Sequence, residues 1–135
     1  GKVLPEAFTC FTLSLDNLSE LTKRFGYTVG DGVLKDFAGL VQLMGDTEGM
    51  RGYNGIGRFV VFFEECSSKK AAAMIRILDN QVEEYNSLNP EYPIRYTATW
   101  ATTEETDTYE IRELLRLSQK KWKQMEKAKE QSSCN

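Results

Sequence analysis

Apolar and polar positions follow two different periods along this chain, and the switches between them divide it into eight elements. "FTCFTLSLD" (8 to 16) is rich in Phe, Thr and Leu and reads as a strand ending at Asp16 and Asn17, residues suited to a helix N-cap. "NLSELTKRFG" then places Leu18, Leu21 and Phe25 on one helical face and stops at Gly26. A second helix is predicted over 31–45, capped by Asp31, with Leu34, Phe37, Ala38, Val41 and Met44 at helical spacing. "RGYNGIGRFVVFFEE" (51 to 65) reads as strand, tight turn and strand. Its second arm is a continuous apolar run, as expected of a strand buried on both faces. From Ser67 to Asn89 the helical period returns, with Met74, Leu78, Val82 and Tyr85 on one stripe, until "PEYP" breaks it. "IRYTATWAT" (94 to 102) alternates, with Ile94, Tyr96, Ala98 and Trp100 on one face. A last helix is predicted from Asp107 to Glu130 with Ile111, Leu115, Trp122 and Met125 inward, and "QSSCN" should fray.

The order is therefore β-α-α-β-β-α-β-α. A hairpin set between helical crossovers implies a mixed, mainly antiparallel central sheet covered by helices, an α/β (α+β) sandwich. Residues 1–135 read as one domain, without internal repeat, linker or low-complexity stretch.

Composition narrows the chemistry. With 41% apolar and 27% charged residues the chain is ordinary for a globular domain, and its net charge of −3 argues against nucleic acid as a partner. No apolar run approaches the roughly 20 residues that span a bilayer, so insertion of this segment into a membrane is not expected. The three cysteines, Cys10, Cys66 and Cys134, form no C-x-x-C pair, which points to a reducing, cytoplasmic setting. Histidine is absent, so Ser-His or Cys-His catalysis and histidine-ligated zinc are excluded. Carboxylates, lysine, tyrosine or a metal held by oxygen would have to do any chemistry.

The hairpin turn raises a question of its own. Gly55 and Gly57 flank Ile56, and Arg58 follows, an odd choice for a turn that only turns. In this setting the chain resembles the GGDEF domains of diguanylate cyclases. Those place an "R-x-GGDEF" hairpin after a "D-x-D-x-FK-x-x-ND-x-x-GH-x-x-GD-x-x-L" segment. "RFGYTVGDGVL" (24 to 34) is similar to the second half of that segment, with Gly26, Gly30, Asp31 and Leu34 in register. "GIGRFVVFFEE" stands where "GGDEF" and its strand would be. "IRYTATWATT" looks like the family's "vTvSiGva" strand, and the last helix like its "LL-x-x-AD-x-A-x-Y-x-AK" helix. The resemblance covers nearly the whole chain, without the first helix and wide turn of a complete domain, so it implies an N-terminally truncated piece of a longer signalling protein.

Carried over residue by residue, the resemblance puts the family's metal-binding aspartate of the first strand on Ser14 and its second aspartate on Asp16. The phosphate-contacting lysine falls on Ser19 and the guanine-reading asparagine on Thr22, while the guanine-reading aspartate is kept as Asp31. Gly55 matches the first hairpin glycine and Ile56 replaces the second; Gly57 and Arg58 replace the two acidic residues, and Phe59 matches the phenylalanine. The product-inhibition motif "R-x-x-D" would run from Asp46 to Gly49 and is absent. A glycine turn lets a triphosphate lie against bare backbone, but the phosphoryl transfer also needs Mg²⁺ on carboxylate oxygens. With Ser14, Gly57 and Arg58 at those positions, the resemblance implies a degenerate, inactive domain with no cofactor; Mg²⁺ would matter only if cyclase activity survived.

The leading expectation is a regulatory or interaction module in bacterial cyclic di-GMP signalling, cytoplasmic in itself or as the cytoplasmic part of a membrane-anchored receptor. Its partners would be other domains of the same chain, a signalling protein or a second copy. The alternatives are a GTP sensor without turnover, binding through Asp31, Thr22, Gly55, Gly57 and Arg58, and a weakly active cyclase. Each residue also has a plainer reading. Asp31 caps a helix, Arg58 is a surface cation, Thr22 lies solvated on a short helix, and Trp100 and Trp122 are core. Lys120, Lys121, Lys123, Lys127 and Lys129 form a solvated helix face, with Glu126 and Glu130 interspersed. Glu64 and Glu65 mark a strand's exit into solvent.

Overall fold

The computed structural model of the chain describes residues 7–44, 50–53, 57–106 and 108–133. The eight predicted elements are present in the predicted order: β1 (Thr9–Leu15), α1 (Leu18–Phe25), α2 (Tyr27–Gln42), β2 (Met50–Tyr53), β3 (Arg58–Phe63), α3 (Ser68–Leu88), β4 (Tyr96–Thr102) and α4 (Ile111–Ser133). The sheet runs β2-β3-β1-β4, and each of its three described pairings is antiparallel. The expected mixed character therefore does not take the form of neighbouring parallel strands. β1 and β2 run parallel but are separated by β3; β3 and β4 run parallel but are separated by β1. Each helical crossover steps over one antiparallel strand, as in a split β-α-β unit. Among the described residues no helix is long and apolar enough to cross a membrane.

The strand alternation sorts side chains to two faces. Phe11, Leu13, Leu15, Phe59, Val61, Phe63, Tyr96, Ala98 and Trp100 join the main core under α1, α2 and α3. Cys10, Val60, Phe62 and Ala101 face α4 and pack with Leu114, Leu115 and Leu117. β3 is thus packed on both faces, as its unbroken apolar run requires. The α4 side of β1 and β4 carries hydroxyls instead: Thr12 shares a 2.7 Å hydrogen bond with Ser118, and Thr99 donates to the Ser118 carbonyl at 2.8 Å. Burial pushes the Cys10 thiol in this layer up to about 12, so it is an inert packing group.

Several boundaries differ from expectation for identifiable reasons. α2 starts at Tyr27, directly after Gly26, whose φ of 96° allows α1 to end and α2 to begin around one residue. Asp31 therefore lies inside α2, paired with Lys35 at 3.0 Å, and caps nothing. α4 starts at Ile111 and stays helical to Ser133, so most of the expected fraying is absent; Asp107 and Cys134 lie outside the described residues. Ile111 and Met125 are exposed, whereas Leu114 and Ser118 are fully buried. A helix lying on threonine-rich strands buries small and polar residues, which an apolar stripe does not mark.

Candidate functional site

Strand register assembles one row of the site. Ser14 of β1 is opposite Arg58 of β3 and opposite Thr97 of β4, on the face covered by α4. Trp122, Glu126 and Lys129, spaced by four and three residues, come down onto this row from a single side of α4. The Trp122 indole N–H donates to Ser14 Oγ at 2.8 Å, and Ser14 Oγ–H donates to Asp16 Oδ1 at 2.6 Å. The Arg58 guanidinium lies over the Trp122 ring, 4.2 Å from its centroid. Lys129 Nζ reaches Asp16 Oδ2 at 3.3 Å and also donates to the Thr97 hydroxyl.

Thr97 stands between two acids. Its Oγ1 is 2.5 Å from Asp16 Oδ2 and 2.8 Å from Glu126 Oε1. A hydroxyl carries one proton, so it can donate to only one of these oxygens, and the other contact calls for a proton on the carboxyl side. The environment of Glu126 agrees: burial first, then the neighbouring Asp16 charge, raise its pKa above the usual value, opposed by the Thr97 hydrogen bond and by Lys129.

This row does not suit a divalent cation. Ser14 is neutral, nearly buried, and already both donates and accepts. Gly57 offers only its carbonyl, which accepts the Leu15 N–H at 2.8 Å. Arg58 brings positive charge. The row's two carboxylates are already engaged, Asp16 by Ser14, Thr97 and Lys129 and Glu126 by Thr97. Among the described residues there is no group of three or more His, Cys, Asp or Glu side chains placed to share a metal.

A second group forms around Leu18. A Cβ added at Gly57 would sit 3.3 Å from Leu18 Cδ2 and 3.4 Å from the Leu15 carbonyl, and one added at Gly30 would meet the Thr22 hydroxyl and Leu18 Cδ1. Gly57 has φ 76°, so a left-handed turn residue and a close approach coincide there. Thr22 is half-buried rather than solvated, because its hydroxyl donates to the Leu18 carbonyl at 2.9 Å and packs on Gly30. Asp31 follows Gly30 on α2 with its carboxylate turned to Lys35. Phe59 is buried, its ring edge-on to Phe37 at 5.7 Å. Ser19 lines an open groove with Asp16, Glu20, Lys23 and Arg24. Gly55, Ile56, Asp46 and Gly49 lie outside the described residues.

The sequence matches the profile of the diguanylate cyclase GGDEF domain over residues 4–133. The chain belongs to the GGDEF domain family. Three solved structures support the same fold. The active GGEEF domain of a diguanylate cyclase from Vibrio cholerae aligns with a TM-score of 0.72 and 20% identity, over 85% of this chain and 73% of that one. An EAL/GGDEF domain protein from M. capsulatus gives 0.66 and 15%, over 85% and 75%. The GGDEF domain of DgcB from Caulobacter crescentus, in complex with c-di-GMP, gives 0.60 and 15%, over 71% and 59%. Among curated protein sequences nothing matches.

Within this GGDEF domain the sequence reading located Ser14, Asp16 and Arg58 but overlooked what binds them. Trp122 was assigned to the core and Lys121 and Lys129 to a solvated face. In fact Trp122 joins Ser14 to Arg58, and the two lysines turn back onto β4 and its neighbours.

Proposed function

We propose that this GGDEF domain has lost metal-dependent cyclase chemistry and serves as a non-catalytic regulatory or interaction module in cyclic di-GMP signalling. It would relay dimerisation or conformational signals to other domains of its chain or to a partner protein, and it carries no resident cofactor. The reading rests on one observation: where the family's first metal aspartate belongs, Ser14 is bonded to Trp122, and Arg58 is stacked on that same ring. At an effective dielectric near 20, a unit cation about 4 Å from a divalent ion costs about 8 kcal/mol, more than a few backbone and water ligands restore. Removing the metal removes both the nucleophile activation and the charge neutralisation that phosphoryl transfer needs.

The test is direct. Purified protein with GTP and Mg²⁺ or Mn²⁺ is expected to form no cyclic di-GMP above the buffer control by mass spectrometry; product proportional to protein would refute the proposal. The GTP-sensor alternative draws on Lys23 and Arg24 beside the Ser19 groove. Calorimetric titration separates the two: no GTP heat is expected, and a Mg²⁺-independent signal abolished by Arg58→Ala or by Lys23→Ala/Arg24→Ala would make the domain a nucleotide sensor.

A further inference from the structure

The charges of α4 look mixed in the sequence, but the fold sorts them by side. Glu126 turns inward to Thr97, and Lys121 and Lys129 turn onto β4. Arg112, Arg116, Lys120, Lys123 and Lys127 stay outward, and all five are exposed. At about 100° per residue they fall within an arc of about 80°, spread over about 22 Å of helix. That arc is opposite Leu114 and Ser118, which are fully buried against the sheet. Acids stand only at its margins: Glu113 at the N-terminal flank, 3.0 Å from Arg116, and Glu130 after the last lysine. Among the described residues Lys120, Lys123 and Lys127 make no ion pair.

The charge of the chain is divided accordingly. α4 carries seven of the 17 basic residues and three of the 20 acidic ones, so it is +4 while the rest of the chain is −7. α1, α2 and α3 cover the other face of the sheet. Their acids are therefore farther from the arc than the roughly 8 Å over which charges act at physiological salt. A net charge of −3 hides a positive face on a negative body.

We infer that this arc of α4 docks the domain on an anionic membrane surface, with the helix lying parallel to the plane of the headgroups. Cations set along one line of a helix all reach a plane together, and a bilayer supplies negative charge wherever they land. Each lysine or arginine held at such a surface strengthens partition about fivefold. The arc contains no aromatic or aliphatic side chain, so it lacks the desolvated anchors that centre a protein interface. It equally lacks the apolar face that would sink a helix into the acyl boundary, so the contact is electrostatic and reversible.

The test sediments the full chain with vesicles, either phosphatidylcholine alone or equal parts phosphatidylcholine and phosphatidylglycerol. Binding is expected only to the anionic vesicles, at low salt, and should be lost when salt is raised. Lys120→Gln/Lys123→Gln/Lys127→Gln should weaken it at least tenfold with an unchanged melting temperature. Lys69→Gln/Lys70→Gln/Arg76→Gln removes the same charge from α3, across the sheet, and should bind as the wild type does. Absence of binding to anionic vesicles at low salt overturns the inference, as does an equal loss in the α3 variant. Poly-glutamate bound by the wild type, with no vesicle binding, also overturns it and marks an acidic protein as the partner.

Discussion

Trp122→Phe tests whether the ring above the Ser14–Arg58 row is held there or merely packed. The substitution keeps a ring under Arg58 and deletes the N–H that Ser14 accepts at 2.8 Å. A neutral hydrogen bond contributes about 0.5–1.5 kcal/mol net, and Ser14, at 5% exposure, has no water to replace the donor. Arg58 is exposed, so its cation–π contact is at the weak end, about 0.5–1 kcal/mol, and phenylalanine retains part of it. The expected loss is about 1–2 kcal/mol. Urea unfolding followed by far-ultraviolet circular dichroism should show it as a midpoint lower by about 0.5–1 M. A cycle with Ser14→Ala isolates the shared bond, with a coupling of about 0.5–1.5 kcal/mol. If Trp122→Phe costs under about 0.3 kcal/mol and the cycle shows no coupling, Trp122 is ordinary packing and the row is not closed by α4.

Gly30→Ala would gain about 1 kcal/mol of helix propensity in α2 but drives a methyl into the stiff, bonded Thr22 hydroxyl. It should therefore destabilise the wild type and become neutral or stabilising in a Thr22→Ala background, a change of sign readable by thermal melts. Gly57→Ala should cost about 1–2 kcal/mol from its φ of 76° alone, with a crowded Cβ adding to it, again by urea unfolding. For Glu126 the sign follows from its raised folded pKa: the folded state holds that proton more tightly than the unfolded chain does. Stability should then fall as pH rises from the ordinary carboxylate value through the raised one, and Glu126→Gln should remove that component from a pH series of melting temperatures.

Element order and the buried sides of the strands were readable because period alone decides them. Ile94, Tyr96, Ala98 and Trp100 alternate, and Tyr96, Ala98 and Trp100 do pack with Ile94 in one core. The start of α2 was not readable: Thr28, Val29 and Gly30 are poor helix formers, and it is packing against α1 across the Thr22–Gly30 contact that makes them helical. On α4 the reading placed Leu115 and Trp122 correctly toward the sheet but misplaced Ile111 and Met125 for a related reason. Its inward residues include Ser118, which satisfies Thr12 and Thr99, so polar groups define the buried side as much as leucines do.

The candidate row was legible in its residue types rather than in its bonds. A serine at position 14 and an arginine at position 58 can be read from a one-dimensional string, because each is a residue type at a fixed position. The contacts that close the row come from residues more than a hundred positions away: Trp122 on Ser14 and Lys129 on Asp16. Those contacts depend on two registers at once, β1 against β3 and α4 across β1, and sequence spacing fixes neither. The result is a row in which the indole, the threonine hydroxyl and the ammonium group supply bonds to Ser14 and Asp16. Reintroducing acids at Gly57 and Arg58 alone would then set two more carboxylates beside Asp16 and Glu126, with Ser14 still neutral and Trp122 still bonded to it. Such a variant is expected to lose stability through like-charge repulsion before it gains a metal, because α4 would first have to be drawn off the row.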